Sequence, residues 1–342
     1  MRRFTCQVCG AAIAFAAAQC DTCGSLLGYD VGSASIAVVT SDDGVVFTRR
    51  GDPSPWWRCL NFAWGCNWML AADTGNVWCE SCRLTRGRPD ESSLDAVLTW
   101  SRAEAAKRRL VANLHALGLP VADPALDGSV VFDLVHLPES RGVTGHRPGV
   151  VTLDLREVDD GYREATRIAF GEADRTVLGH LRHEIGHHYF GLLVERAGAL
   201  DDCRALFGDE RADYADALQR HYSGEGGAGA VPDSHISDYA TAHPGEDWAE
   251  TFGHYLALRD GLETAHAFGL ADAASGTLAP TGEQSDGWAF PSVVQCWRDL
   301  TSATNELALG LGHIAPYPYR ISPQVEEKLA FVHRCVCRWT TR

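Results

Sequence analysis

The sequence predicts an α+β chain in two parts. Residues 1–88 form a cysteine-rich module with little helical periodicity, and residues 89–342 form a mainly helical domain with a small β-sheet. Three observations carry this expectation. Eight of the 12 cysteines fall within residues 6–82. The composition changes around Arg86–Asp90, where a long amphipathic repeat begins. Farther on, His183-Glu184-Ile185-Gly186-His187 sets two imidazoles four residues apart, on one face of a helix, with a carboxylate between them.

Composition bounds the rest. A chain of 342 residues with 45% hydrophobic and 22% charged content is long enough for two or three globular domains. No apolar run approaches the ~20 residues that a membrane helix needs. Arg2-Arg3 and the alanine-rich Ala11–Ala18 imitate an export signal. That run is short and flanked by Cys-x2-Cys pairs that cleavage would destroy, so a cytoplasmic protein is expected. The formal charge is −15; residues 1–120 hold 12 Lys/Arg and 11 Asp/Glu, and residues 121–342 the other 18 and 34. Without a basic face, neither nucleic acid nor membrane is an expected partner.

Along the chain, Ser92 or Ser93 caps a helix carrying Leu94, Val97, Leu98, Leu110, Val111, Leu114 and Leu117, ending before Gly118 and Pro120. Val130–Leu137 and Val150–Leu155 read as strands separated by the turn-rich Gly142–Gly149. From Gly161 onward helices dominate: Arg175 to about Ala199, Asp201 to about Tyr222, Gly245 to about Arg259, Ser292–Leu309 and Gln324–Cys337. Ser223–Ala230 is a glycine-rich loop and Glu283–Phe290 is irregular.

Cys6-x2-Cys9 and Cys20-x2-Cys23 have the spacing of a zinc ribbon, two knuckles whose thiolates point at one ion. Cys59, Cys66, Cys79 and Cys82 form a less regular second set for another structural zinc, and ligands exchanged between the two sets would fit the spacing equally. One or two structural zincs are therefore expected. Cys203, Cys296, Cys335 and Cys337 read as free thiols. Trp56, Trp57, Trp64, Trp68 and Trp78 supply the core of a small metal-stapled module or, alternatively, an aromatic recognition surface.

His183 and His187 can bind a catalytic zinc while Glu184 serves as a base. A metzincin would add HxxGxxH, but Phe190 occupies the glycine position and no histidine follows at the required spacing. A gluzincin takes its third ligand from a second helix. Glu246 and Glu250 lie one turn apart, so the first could bind metal while the second supports a histidine from behind. His180 lies on the same side as His183 and His187, and is expected to support the site too. His188 points away, and His235, His243 and His254 are rival ligands without a preferred spacing.

The stretch Tyr239-Ala240-Thr241-Ala242-His243-Pro244-Gly245-Glu246-Asp247-Trp248-Ala249-Glu250 resembles the third-ligand region of lethal-factor-type gluzincins, where a Tyr precedes the ligand Glu by seven residues and an Ala-Glu pair follows. The chain as a whole resembles bacterial zinc-binding metallopeptidases with an N-terminal zinc ribbon. The features that carry this are the Cys-x2-Cys pairs, Cys66-Asn67-Trp68, Cys79-Glu80-Ser81-Cys82-Arg83-Leu84, Ala106-Lys107-Arg108-Arg109-Leu110, Leu178-Gly179-His180-Leu181-Arg182-His183-Glu184 and the Glu246–Glu250 segment. The resemblance implies a metalloendopeptidase with a peptide or protein substrate, His183, His187 and Glu246 as ligands, Glu184 as general base, and Tyr239 on the oxyanion. It also implies that the strand Val150–Leu155 binds an extended substrate by β-addition. Read from the residues alone, Glu246 could instead serve the helix dipole and Tyr239 the core. The 58 residues between His187 and Glu246 are a long insertion, a candidate lid or specificity element. Two other functions fit the sequence: a zinc-ribbon adaptor with a silent peptidase-like domain, or a hydrolase of non-peptide amides. The N-terminal module is expected to dock onto the catalytic domain, to present substrates or to bind a protein partner, and its removal to change selectivity or stability while leaving the zinc ligands of the histidine site in place.

Overall fold

Residues 3–26 form two cysteine knuckles joined by a minimal ribbon, β1 (Phe4–Thr5) against β2 (Ala12–Ile13), in a computed structural model that describes residues 3–90, 92–121, 130–137, 145–170, 175–223, 231–270 and 290–341. A five-stranded antiparallel meander follows: β3 (Leu27–Asp30), β4 (Ser35–Thr40), β5 (Val46–Arg49), β6 (Asp52–Arg58) and β7 (Met69–Ala71). Its ends meet, because Tyr29 bridges Trp68 and its N–H donates to the Asn67 carbonyl at 2.8 Å. Trp68 is fully buried and packs on Tyr29 with centroids 4.9 Å apart. Trp78, by contrast, stays exposed beside the Arg88 guanidinium, so the tryptophans divide between core and surface.

The two parts of the chain share one sheet and one core. After α1 (Glu80–Arg83), β8 (Thr85–Gly87) pairs in parallel with β9 (Val131–Val135), giving a four-stranded sheet of order β10-β11-β9-β8, with β10 spanning Gly145–Arg147 and β11 Val150–Asp154. The buried apolar cluster runs without a break from Cys6 and Trp68 to Leu110, Ile185 and Val332. A buried polar knot reinforces the join. On α2 (Leu94–Ala116), the Lys107 ammonium donates to Glu104 at 2.8 Å and to the Thr85 hydroxyl, which itself donates to Glu104; the Cys82 thiol lies 3.8 Å from the same carboxylate. Ser93 caps α2, accepting from the Ala96 N–H at 3.3 Å.

Beyond α3 (Asp160–Phe170), α4 (Val177–Phe190) begins at a Thr176 cap and runs on as a π-helical turn, Gly191–Glu195. The single helix expected over 201–222 is two, α5 (Leu200–Phe207) and α6 (Tyr214–Tyr222). They part at Gly208, whose φ of 96° lies outside the helical range, and Asp213 restarts the helix by accepting from the Asp216 N–H. The loop expected at Ser223–Ala230 lies outside the described residues beyond Ser223, as does Glu283–Phe290 before Phe290. The chain then enters α7 (Pro244–Ala267), α8 (Phe290–Gly310) and α9 (Pro323–Thr340). Among the described residues no helix is long and apolar enough to cross a membrane.

Helices α4 and α7 bring the two sequence motifs of the site together in space. The Gly186 face of α4 lies so close to α7 that a Cβ there would stand 3.0 Å from the Ala249 Cα. The Trp248 indole donates to the Gly186 carbonyl at 2.9 Å across the same seam. One expectation fails here. The strand Val150–Leu155 does not offer a free edge to an extended substrate, because over Val150–Thr152 that edge already pairs with β10. The ladder on the other side is filled by β9, so the outer strands of this sheet are β10 and β8.

Because Thr85 and Cys82 complete a knot around the buried Lys107–Glu104 pair, a fragment starting at residue 89 leaves that pair without the hydroxyl and thiol that complete its hydrogen bonds. It is expected to lose the cooperative thermal transition that the full chain shows by circular dichroism; an unchanged transition would mean the helical domain stands alone.

Candidate metal centre

Three groups of side chains in the described residues have metal-ligand geometry: Cys6, Cys9, Cys20 and Cys23; Cys59, Cys66, Cys79 and Cys82; and His183, His187 and Glu246. The cysteines therefore sort within their own clusters, without exchange. Sulfurs bound tetrahedrally at about 2.3 Å lie about 3.8 Å apart. The measured Sγ separations are 3.6 Å for Cys6–Cys23 and 3.7 Å for Cys9–Cys20, Cys66–Cys79 and Cys66–Cys82. No described cysteine is in a disulfide. All four sulfurs of the second set are buried, whereas Cys9 and Cys23 reach the surface.

At the third group, α4 supplies His183 and His187 and α7 supplies Glu246. The two Nε2 atoms are 3.2 Å apart, and Glu246 Oε2 lies 2.9 Å from the first and 3.4 Å from the second. Nitrogen and oxygen ligands of one tetrahedral zinc, at about 2.0–2.1 Å, stand about 3.3 Å apart. The donor chemistry fits a cation as well. His183 Nδ1 meets Glu250 Oε1 at 2.7 Å, and since a carboxylate only accepts, the proton sits on Nδ1 and the Nε2 lone pair faces inward. Glu246 Oε2 is buried and hydrogen-bonded to no donor. Lone pairs gathered this closely repel one another unless a cation lies among them.

Around these atoms stand the supports. The Ser237 hydroxyl donates to Glu250 Oε2 at 2.6 Å, fixing the carboxylate that holds His183. His180 lies between two carboxylates, Glu157 at 2.7 Å and Glu184 at 3.1 Å, and Arg175 reaches Glu157 at 3.2 Å. Burial works against a charged His180, yet Glu157 and Glu184 carry it up to about 9, so both ring nitrogens donate. Burial likewise opposes ionisation of Glu184, but the His180 hydrogen bond and the neighbouring positive charge hold its carboxyl below the ordinary range. Its free oxygen, Oε2, is buried without a hydrogen-bond partner. Tyr239 lines the cleft with its ring 5.7 Å from that of His183.

The rival histidines fall elsewhere. His243 caps α7, accepting from the Gly245 N–H at 2.9 Å; His235 bonds Ser234 at 2.9 Å; His254 bonds the Tyr317 hydroxyl at 3.0 Å. His188 packs on Tyr189 and does not line the cleft. Three partners are invisible to sequence spacing: Glu157, Ser237 and Tyr214, whose hydroxyl donates to Glu246 Oε1 at 2.7 Å. Only Ser237, two residues from Tyr239, lies near a recognised motif. The centre opens into a cleft of about 2080 Å³ bounded by β10, α6, α7 and the aromatic segment around Tyr317 and Tyr319.

Residues 96–335 match the family described as "Putative zinc-binding metallo-peptidase", and residues 3–93 match a zinc-ribbon domain. The chain belongs to that metallopeptidase family. Proteins of Mycobacterium bovis and Mycobacterium tuberculosis named only as uncharacterized are 40% identical to it over 340 residues, 98% of this chain and 95% of each relative. No solved structure matches it. A zinc-binding family whose chain also carries two four-cysteine clusters makes zinc the metal of this protein.

For this member of the family, the Glu250 contact with His183 is the clearest lever on metal affinity. Glu250→Ala is expected to weaken metal binding or activity about 10–100-fold, read by competition against a chromophoric chelator. Unchanged affinity and activity would reduce Glu250 to a bystander.

Proposed function

We propose that the chain is a gluzincin-type metalloendopeptidase of the cytoplasm, with one catalytic zinc at His183, His187 and Glu246 and two structural zincs in the cysteine clusters. The observation that carries the reading is the convergence of three lone-pair atoms at 2.9–3.4 Å, with the unpartnered Glu184 carboxylate oxygen on the same helix as the histidines. Zinc held there would polarise a carbonyl and lower the pKa of a water. Glu184 takes the proton of the attacking water and delivers it to the leaving amine. His180 keeps Glu184 ionised and aimed through the 3.1 Å contact. Tyr239 donates to the oxyanion as charge develops on the carbonyl. Eight thiols kept for metal suit a reducing compartment, which supports the cytoplasmic assignment. The open cleft suits a peptide or protein substrate, and Arg86, near the end of the N-terminal module, lines it, which supports a contact between that module and such a partner.

Metal analysis beside cleavage of a mixed peptide library tests this. Wild type is expected to hold three zincs and His187→Ala two. Glu184→Gln is expected to keep three and lose about 10²–10⁴-fold in kcat. Full cleavage by Glu184→Gln sinks the mechanism. Three zincs with no peptide cleaved would turn the reading toward an adaptor or a non-peptide amidase.

A further inference from the structure

The insertion between His187 and Glu246 brings to Glu246 itself a group that neither the motif nor the general-base chemistry uses. Tyr214 opens α6, half-exposed at the cleft, and its hydroxyl donates to Glu246 Oε1 at 2.7 Å. The other oxygen, Oε2, is the one that faces both histidine Nε2 atoms. The two oxygens of Glu246 are thus divided between a phenol and the ion site. Tyr214 is itself held in place. The His243 ring packs edge-on against it with centroids 5.2 Å apart, donates from Nε2 to the Ala212 carbonyl at 3.1 Å, and accepts the Gly245 N–H through Nδ1. The start of α6 and the start of α7 are therefore tied together by one imidazole, which also packs against the ring that carries the hydroxyl.

A carboxylate ligand can bind zinc through one oxygen or two. Two would fill the position that a water or a substrate carbonyl needs, because a catalytic site works with three protein ligand atoms and an open fourth place. We propose that Tyr214 is a positioning residue that holds Glu246 to one-oxygen coordination and so keeps the fourth place open. The proposal rests on the metal site described above, and concerns how that site is used. It also gives the insertion a structural role, since α6 then supplies a constraint on the third ligand.

The test is Tyr214→Phe, which removes only the hydroxyl of a half-exposed side chain. Cobalt(II) is introduced at the histidine site after brief chelation, the cysteine clusters keeping their zinc, and its visible spectrum is read beside zinc content, thermal melting and steady-state kinetics. Wild type is expected to show the strong absorption of four-coordinate cobalt. Tyr214→Phe should retain its metal and melting point, show the weaker five-coordinate spectrum, and lose about 10-fold or more in kcat with KM within about two-fold. An unchanged spectrum, or loss of the metal itself, overturns the proposal, since the phenol would then set no coordination mode. A five-coordinate wild-type spectrum overturns it without any variant. These outcomes are separable from failure of the metal reading, which would appear as metal content unaltered by His187→Ala.

Discussion

His183 and His187 on one helix can share an ion with Glu246 on another only if the two backbones come nearly into contact, and Gly186 is what lets them. A methyl group there would meet the Ala249 Cα at 3.0 Å and its carbonyl oxygen at 3.1 Å, both backbone atoms that cannot swing aside. One turn along, a Cβ on Gly253 would stand 3.4 Å from the His183 nitrogen, so the seam is lined with glycine and alanine from both helices. Ligand atoms must sit within tenths of an ångström of their tetrahedral places, and side-chain torsions alone cannot recover a separation that is too wide. The Trp248 indole bonded to the Gly186 carbonyl fixes the slide of one helix along the other. Close packing thus comes first, and the ligand geometry follows from it.

Charge is the second consequence. Bringing Glu157, Glu184, Glu246 and Glu250 into one largely buried region is costly unless each ionised group has a partner. The structure spreads the compensation: Arg175 and His180 serve Glu157, His180 also serves Glu184, and Ser237 and His183 serve Glu250. Burial pushes the Glu250 carboxyl up, but His183, His254 and the Ser237 hydroxyl together outweigh it and hold the group at about 2. Glu246 keeps one oxygen without a donor, and that oxygen faces the ion site.

Which parts of this are legible in the sequence follows from where each residue gets its position. His183 with His187, and Glu246 with Glu250, are four apart on single helices, so helical geometry alone puts each pair on one face. The Cys-x2-Cys pairs are local in the same sense. Glu157 comes from a 3₁₀ turn after β11, Ser237 from an irregular segment, and Tyr214 from a helix 32 residues before its partner. Their approach to the candidate metal site is decided by tertiary packing, which no spacing records. The meander of β3 to β7 is hidden for another reason: its strands are seven residues long or shorter, and Gly, Asp and Pro within them blur the two-residue alternation. The break between α5 and α6 turns on Gly208, a residue type that also occurs inside helices.

The second cysteine cluster extends the argument about charge to the whole molecule. Four thiolates around a divalent ion leave two negative charges, and these cysteines are buried at 1% exposure or less. Arg108, almost as buried, answers them from α2: desolvation works against its charge, but Cys66, Glu104, Cys82 and Cys79 raise its pKa overall. Its guanidinium also donates to the Gly65 carbonyl at 3.1 Å, inside the cysteine loop. The helix that neutralises the cluster is the one packed against α4, where the histidines lie. Separating the ribbon from the peptidase part would therefore expose more than apolar surface. It would leave the four-cysteine cluster without the Arg108 cation on one side, and on the other a buried guanidinium that keeps Glu104 but loses the cysteines and the Gly65 carbonyl.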